Sequence, residues 1–219
     1  MLVGVISDIH ANRVALNAVL ADMPTVELLV CAGDVVGYNP WPAECIDELR
    51  ARDVPTVMGN HDRAVATATG FTGNGMADAG ARYADEVLDS DRIEWLGRLP
   101  ESRYCVDGRI KIVHGHPDDP NRYTYPSLFS SRLLGTETVL ILGHTHVQAY
   151  EQYDDGIVLN PGSVGQPRDG DPRAAYALVD LDTMTVSTHR VEYDIGAVIE
   201  AIEAAGLPAQ TGERLRKGR

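Results

Sequence analysis

Five apolar segments of this chain each run into a polar cluster of Asp, Asn or His. Leu2-Val3-Gly4-Val5-Ile6 leads to Asp8 and His10, residues 28–32 to Gly33-Asp34, and residues 54–58 to Gly59-Asn60-His61-Asp62. Residues 110–113 lead to His114, and residues 139–142 to Gly143-His144-Thr145-His146. Short continuous apolar runs read as strands buried on both faces, as in parallel sheets. Ligand sites of open α/β sheets lie beyond the carboxyl ends of the strands, so these polar residues are expected at one edge. A lone Asp8-Ile9-His10 reads as a turn residue and a helix cap. Its repetition at the other strand ends points to a shared site. Side chains at i and i+2 of an extended segment point the same way, which predicts convergence within Asp8/His10 and within His144/His146. Such a mixed oxygen and nitrogen set suits Mn, Fe or Zn better than Ca or Mg.

Helical periodicity fills the intervals. Asn12 caps a helix over 13–23 with Leu16, Val19, Leu20 and Met23 on one face, and Pro42 opens another through Arg52. Residues 54–58 are expected as a third strand. Residues 63–99 read as helical around a 70–75 loop, with a stripe of Met76, Ala79, Tyr83 and Val87 and a short last helix at Trp95 and Leu96. Asp107-Gly108 and Asp155-Gly156 turn two hairpins, the first by a type I′ turn. A weak helix ends near Leu134, and strands at 174–179 and 185–191 close the sheets. Asp194 caps a helix that Gly206-Leu207-Pro208 stops. The basic tail from Arg214 is expected to fray. No repeat, linker or low-complexity tract appears, so residues 1–219 read as a single domain.

Acidic residues number 32 against 19 basic ones, a net charge of −13, and Lys111 and Lys217 are the only lysines. That balance argues against a basic nucleic-acid-binding face. It is the pattern of halophilic proteins, although an arginine-rich genome composition produces part of the same bias. No apolar run approaches the roughly 18 residues of a membrane span. Met1 leads directly into the first strand without a signal-peptide flank, so a cytoplasmic location is expected. Cys31, Cys45 and Cys105 are odd in number and widely spaced, and read as free thiols. His189 lies within a strand and reads as structural, whereas His116, two residues after His114, is ambiguous.

The clusters Asp8-Ile9-His10, Gly33-Asp34, Gly59-Asn60-His61-Asp62, His114 and Gly143-His144-Thr145-His146 resemble the five ordered motifs of calcineurin-like metallophosphoesterases. The likeness is greatest to the small capless microbial members, with the Gly37-Tyr38-Asn39-Pro40 and Asn160-Pro161-Gly162-Ser163 loops also familiar. The resemblance implies an α/β fold, a four-layer αββα sandwich of two mixed sheets flanked by helices. It implies two divalent ions, one on Asp8, His10 and His146, the other on Asn60, His114 and His144, with Asp34 bridging. Mn is favoured, with Fe, Zn, Ni or Mg as alternatives. Paired ions acidify a bridging water and stabilise the oxygens of an in-line phosphoryl displacement. By the same resemblance His61, held charged by Asp62, protonates the leaving group.

Protein serine/threonine phosphatases of this superfamily carry an arginine after the second motif, where this chain has Val35-Val36-Gly37-Tyr38. Arg168 or Arg63 is the candidate replacement as a substrate contact. The 118–125 loop resembles nothing that fixes a substrate. The expected activity is hydrolysis of a small phosphodiester or nucleotide through a dinuclear metal-activated water. Phosphomonoesterase or dinucleoside-polyphosphate hydrolase activity is the alternative within enzymes, and a homo-oligomer is compatible. A non-catalytic metal-binding interaction module, like the retromer subunit of this fold, is the alternative of another class. His61, a non-ligand, would have no purpose there.

Overall fold

Strand β1 (Leu2–Ile6) lies at the centre of one sheet in the computed structural model, which describes residues 1–219. It pairs in parallel with β2 (Leu28–Cys31), through the crossover helix α1 (Arg13–Asp22), and helix α2 (Pro42–Ala51) follows. The second sheet begins after helices α3 (Asn60–Ala66), α4 (Gly75–Val87) and α5 (Ser90–Gly97). It contains β3 (Ser102–Cys105), β4 (Ile110–Val113), β5 (Val139–Ile141), β6 (Ala149–Tyr153) and β7 (Gly156–Asn160) in the order β3-β4-β5-β7-β6. The chain then returns to the first sheet with β8 (Ala174–Asp180) and β9 (Thr185–Val191), completing β2-β1-β8-β9. Helices α6 (Ile195–Ala204) and α7 (Ala209–Leu215) end it. Both sheets are mixed.

Alternation along the strands sets the layers. Val3, Val5, Val30 and Val179 of the first sheet face Ile110, Ile112, Ile141, Ile157 and Leu159 of the second, all fully buried. Burying such a side chain contributes about 1.5–3 kcal/mol. On the other face of the first sheet Ile6 packs with Leu16 and Val19 of α1 and Ile46 and Leu49 of α2. Leu140, Leu142 and Val158 on the outer face of the second sheet are covered by Phe129, Leu133 and Leu134. The result is the expected four-layer sandwich. No helix is long and apolar enough to cross a membrane. Asn12 and Asp194 cap their helices as expected, and Asp107 (φ 53°) and Gly108 (φ 84°) make the hairpin turn.

Four local expectations are corrected. Residues 54–58 form no strand but a single bridge, Thr56 to Cys31. Pro55 has no N–H, and the Met58 N–H turns away to Pro100 O at 2.8 Å. The buried face of α4 is Ala77, Gly80, Ala81 and Ala84; of the expected stripe Ala79 and Tyr83 pack, partly buried, with Val198, Ile202 and Leu215, while Val87 is 48% exposed. Small residues are required there because a Cβ on Gly80 would lie 2.1 Å from the Tyr38 backbone nitrogen. The weak helix before Leu134 is two 3-10 turns, Pro126–Leu128 and Ser131–Leu133. The tail does not fray: Leu215 is buried with Val198, Ile202 and Leu207, and Gly170 N–H donates to Gly218 O at 3.0 Å.

Candidate metal centre

The polar residues converge, but not by strand alternation. Asp8 (φ 52°) and His10 (φ 48°) follow the end of β1, Asp34 (φ 53°) follows β2, and His144 (φ 68°) and His146 (φ 59°) follow β5, all left-handed. Non-glycine residues in that region cost about 1–3 kcal/mol each and persist only where the surroundings over-determine them. Backbone bonds do so here. Asp8 N–H donates to Gly33 O (2.9 Å), His10 N–H to Asp34 O (2.9 Å) and Ala11 N–H to Val35 O (2.8 Å), lacing the first two loops together. Ser163 Oγ and Gly165 N–H donate to Asp8 O at 2.7 and 3.0 Å, so the Asn160–Ser163 loop buttresses the first motif. Two motif glycines are there for close approach. A Cβ on Gly59 would lie 2.1 Å from Asp34 Oδ1, and one on Gly143 would lie 2.2 Å from Ser7 Oγ.

The donor atoms form two groups, Asp8/His10/Asp34/His146 and Asp34/His114/His144, with Asp34 common to both. His10 Nδ1 lies 3.2 Å from Val36 O and His146 Nδ1 lies 2.6 Å from Gln166 O. A carbonyl only accepts, so the proton of each neutral ring is on Nδ1 and Nε2 carries a lone pair. Those two Nε2 atoms face each other at 3.1 Å, beside Asp8 Oδ1, which is 3.2 Å from His146 Nε2. Acceptor against acceptor is repulsive unless a cation lies among them, and carbonyl-oriented imidazoles are the usual support of a metal site. In the second group Asp34 Oδ2 is 3.3 Å and Asn60 Oδ1 3.2 Å from His114 Nε2, with His114 Nδ1 on Ala32 O at 2.7 Å. Asp34 Oδ1 accepts from His61 N–H (2.8 Å), which fixes the shared carboxylate at the start of α3.

Charge states agree with this donor set. Burial alone would raise Asp34, but His114 beside it outweighs burial and holds the carboxyl below the usual range. Burial pushes His10 well down and His144 to about 4, and lowers His146, keeping these rings neutral. His114 opposes its own burial and is drawn up to about 10, chiefly by Asp34. That carboxylate draws positive charge to this spot, whether a proton or a metal ion.

The cleft above the donors is lined by Tyr38, His61, Phe71, Tyr123 and Arg168. His61 packs against Phe71 (4.4 Å between ring centres) and Tyr38 (4.7 Å), and Tyr123 stacks on His144 at 3.9 Å. Asp62 does not hold His61. Its carboxylate accepts from Gly59, Val35 and Val36 N–H at 2.8 to 3.2 Å, capping α3 and shaping the loop of the second motif. Adjacent residues on a helix do not face each other, so contact was excluded once α3 formed. His61 Nδ1 is buried without a partner, and burial pushes its pKa to about 4, so the ring is neutral instead of charged. Arg63 pairs with Glu101 at 2.9 Å and does not line the cleft. His116 sits in a surface turn, its Nδ1 accepting from Asp118 N–H at 3.1 Å, and does not line the cleft. The 118–125 loop does reach the site, through Tyr123 and through Asn121 O, 3.3 Å from His144 Nε2. Nothing in the sequence around Phe71 or Tyr123 signals either contact.

Residues 1–184 match the family model of the calcineurin-like phosphoesterase superfamily domain. The whole chain is 32% identical to an uncharacterized protein of Methanocaldococcus jannaschii, over 98% of that protein. It is 29% identical to the phosphodiesterase YfcE of Escherichia coli, over 82% of this chain and 88% of YfcE. The crystal structure of a metallophosphoesterase from Sphaerobacter thermophilus superposes with a TM-score of 0.87 at 34% identity, covering 100% of this chain and 99% of that one. With its ordered motifs, layered sheets and clustered Asp and His donors, the chain belongs to the calcineurin-like phosphoesterase superfamily.

Proposed function

We propose that the chain hydrolyses a small phosphodiester or nucleotide using two divalent ions, Mn being preferred. The observation that carries this reading is the pair of opposed Nε2 lone pairs of His10 and His146, 3.1 Å apart beside Asp8, together with Asp34 shared between two donor groups. The phosphodiesterase name of the Escherichia coli relative supports the choice of ester. Asp8, His10 and His146 would hold one ion and Asn60, His114 and His144 the other, with Asp34 between. The chemistry such a pair supplies is Lewis acidity toward water and phosphoryl oxygens. Asn60 contributes a neutral oxygen, which leaves the loaded site net positive toward an anionic substrate. His61 presents Nε2, its accessible nitrogen, where the leaving oxygen needs a proton, and the negative charge of bound substrate raises the proton affinity of the ring. Asp62 acts through the backbone, fixing the start of α3 that carries Asn60 and His61. Arg168 supplies positive charge at the cleft wall. The setting proposed is a cytoplasmic one.

Turnover of bis-p-nitrophenyl phosphate by Mn-reconstituted protein tests this. The wild type is expected to hydrolyse the diester, and Asp34→Asn to lose activity and bound metal together. Protein that binds metal yet turns over no phosphodiester, phosphomonoester or nucleotide with Mn, Fe, Zn, Ni or Mg would instead be an interaction module.

A further inference from the structure

The histidines of the donor set are held in two different ways. His10, His114 and His146 each point Nδ1 at the carbonyl of a buried residue, Val36, Ala32 and Gln166 respectively, at 2.6 to 3.2 Å. His144 is the exception. Its carbonyl partner is Asn121 O, 3.3 Å from Nε2, and Asn121 lies on an exposed loop. A carbonyl only accepts, so the proton of neutral His144 is on Nε2 and the lone pair on Nδ1, the opposite tautomer from His10 and His146. A proton on Nδ1 would leave Nε2 facing the carbonyl, acceptor against acceptor.

The loop is built to reach this ring. His116 N–H donates to Asp119 O (3.0 Å) and Asp119 N–H to His116 O (3.1 Å), while Asp119 Oδ1 accepts from Asn121 N–H at 3.0 Å. Gly115, next to His114, lets the loop fold back, since a Cβ there would lie 2.4 Å from Pro120 O and 2.9 Å from Arg122 O. Tyr123 is thereby laid on His144, with ring centres 3.9 Å apart and planes 22° apart, and Tyr125 lies nearly parallel to Tyr123 at 5.9 Å. The phenol ring fixes the plane of the imidazole, and the carbonyl fixes which nitrogen carries the proton. Tyr123 is 45% exposed, so it covers His144 without belonging to the core.

We propose that Tyr123 is a positioning residue for His144: with the Asn121 carbonyl it presents Nδ1 to the Asp34/His114/His144 donor group, so that a surface loop completes one half of the centre. This rests on the two-ion reading and names the residues that tune one of its halves. Calorimetric titration of the metal-free chain with Mn tests it, together with the nitrogen-15 shifts of the histidine rings before Mn is added, at a mildly alkaline pH where His144 is neutral. For Tyr123→Ala one of the two dissociation constants should rise about ten- to hundredfold, the scale of lost support around a ligating histidine, and the other should stay within about threefold. Tyr123→Phe should keep both, because stacking needs the ring and not the hydroxyl. Tyr150→Ala, which removes an exposed tyrosine from the edge strand β6, should also keep both. The shifts should report His144 protonated at Nε2 alone in the wild type and averaged over both nitrogens in Tyr123→Ala. Both constants rising together in Tyr123→Ala, or neither rising, overturns the proposal, as does a wild-type His144 protonated at Nδ1. A wild type that takes up fewer than two ions overturns the two-ion reading instead, and the ring shifts then decide. Unchanged shifts in Tyr123→Ala overturn the role of Tyr123, and movement toward the average supports it.

Discussion

At the floor of the cleft His10, His114 and His146 each lean on a backbone carbonyl, and five of the polar residues there are left-handed. At the rim Tyr38, Phe71, Tyr123 and Arg168 come from elements far apart in sequence and meet through ring stacking and the Tyr38 hydroxyl, which accepts from Arg168. The floor is over-determined, as strain at a functional site requires. The rim is held by its side chains. On the proposed function, the floor would do the chemistry and the rim would contact the substrate.

Tyr38 is the seam between the two regions: its ring packs edge-on against His10 at 4.8 Å while its hydroxyl meets Arg168. Substitutions on either side of it are therefore expected to fail differently. The largest expected effect is at His61. For His61→Ala kcat should fall roughly 10²- to 10⁴-fold on an ester with a poor alkoxide leaving group, with a smaller loss for nitrophenolate and metal content unchanged. Equal losses on both leaving groups would move His61 from proton transfer to positioning. A smaller effect is expected from Gly80→Ala, whose new Cβ would press on the Tyr38 backbone. Overpacking of this kind costs about 1–3 kcal/mol, and each kcal/mol lowers Tm by roughly 2–4 °C in a chain of this length. The displaced seam should raise KM without loss of metal. An unchanged Tm together with an unchanged KM would show that α4 yields and that Tyr38 does not depend on it.

The floor was legible because each of its residues closes an apolar run, and the end of a buried strand is where open sheets place ligands. The sequence does not reveal how those residues converge, since Asp8, His10 and His146 carry no glycine-like signal for positive φ. Residues 54–58 look like a strand by composition, and Pro55 decides otherwise. The face of α4 was misread because hydrophobic size points to Met76 and Val87, whereas the backbone of Tyr38 selects Ala77, Gly80 and Ala81. The rim was mostly illegible. Phe71 and Tyr123 lie in loops without periodicity, and the docking of the tail depends on Leu215 meeting Val198 and Ile202.

The floor is proposed as a two-ion site with Asp34 shared between its halves. Metal analysis of protein reconstituted with excess Mn and freed of unbound ions measures it most directly. Two ions per chain are predicted, and one or none would contradict the account.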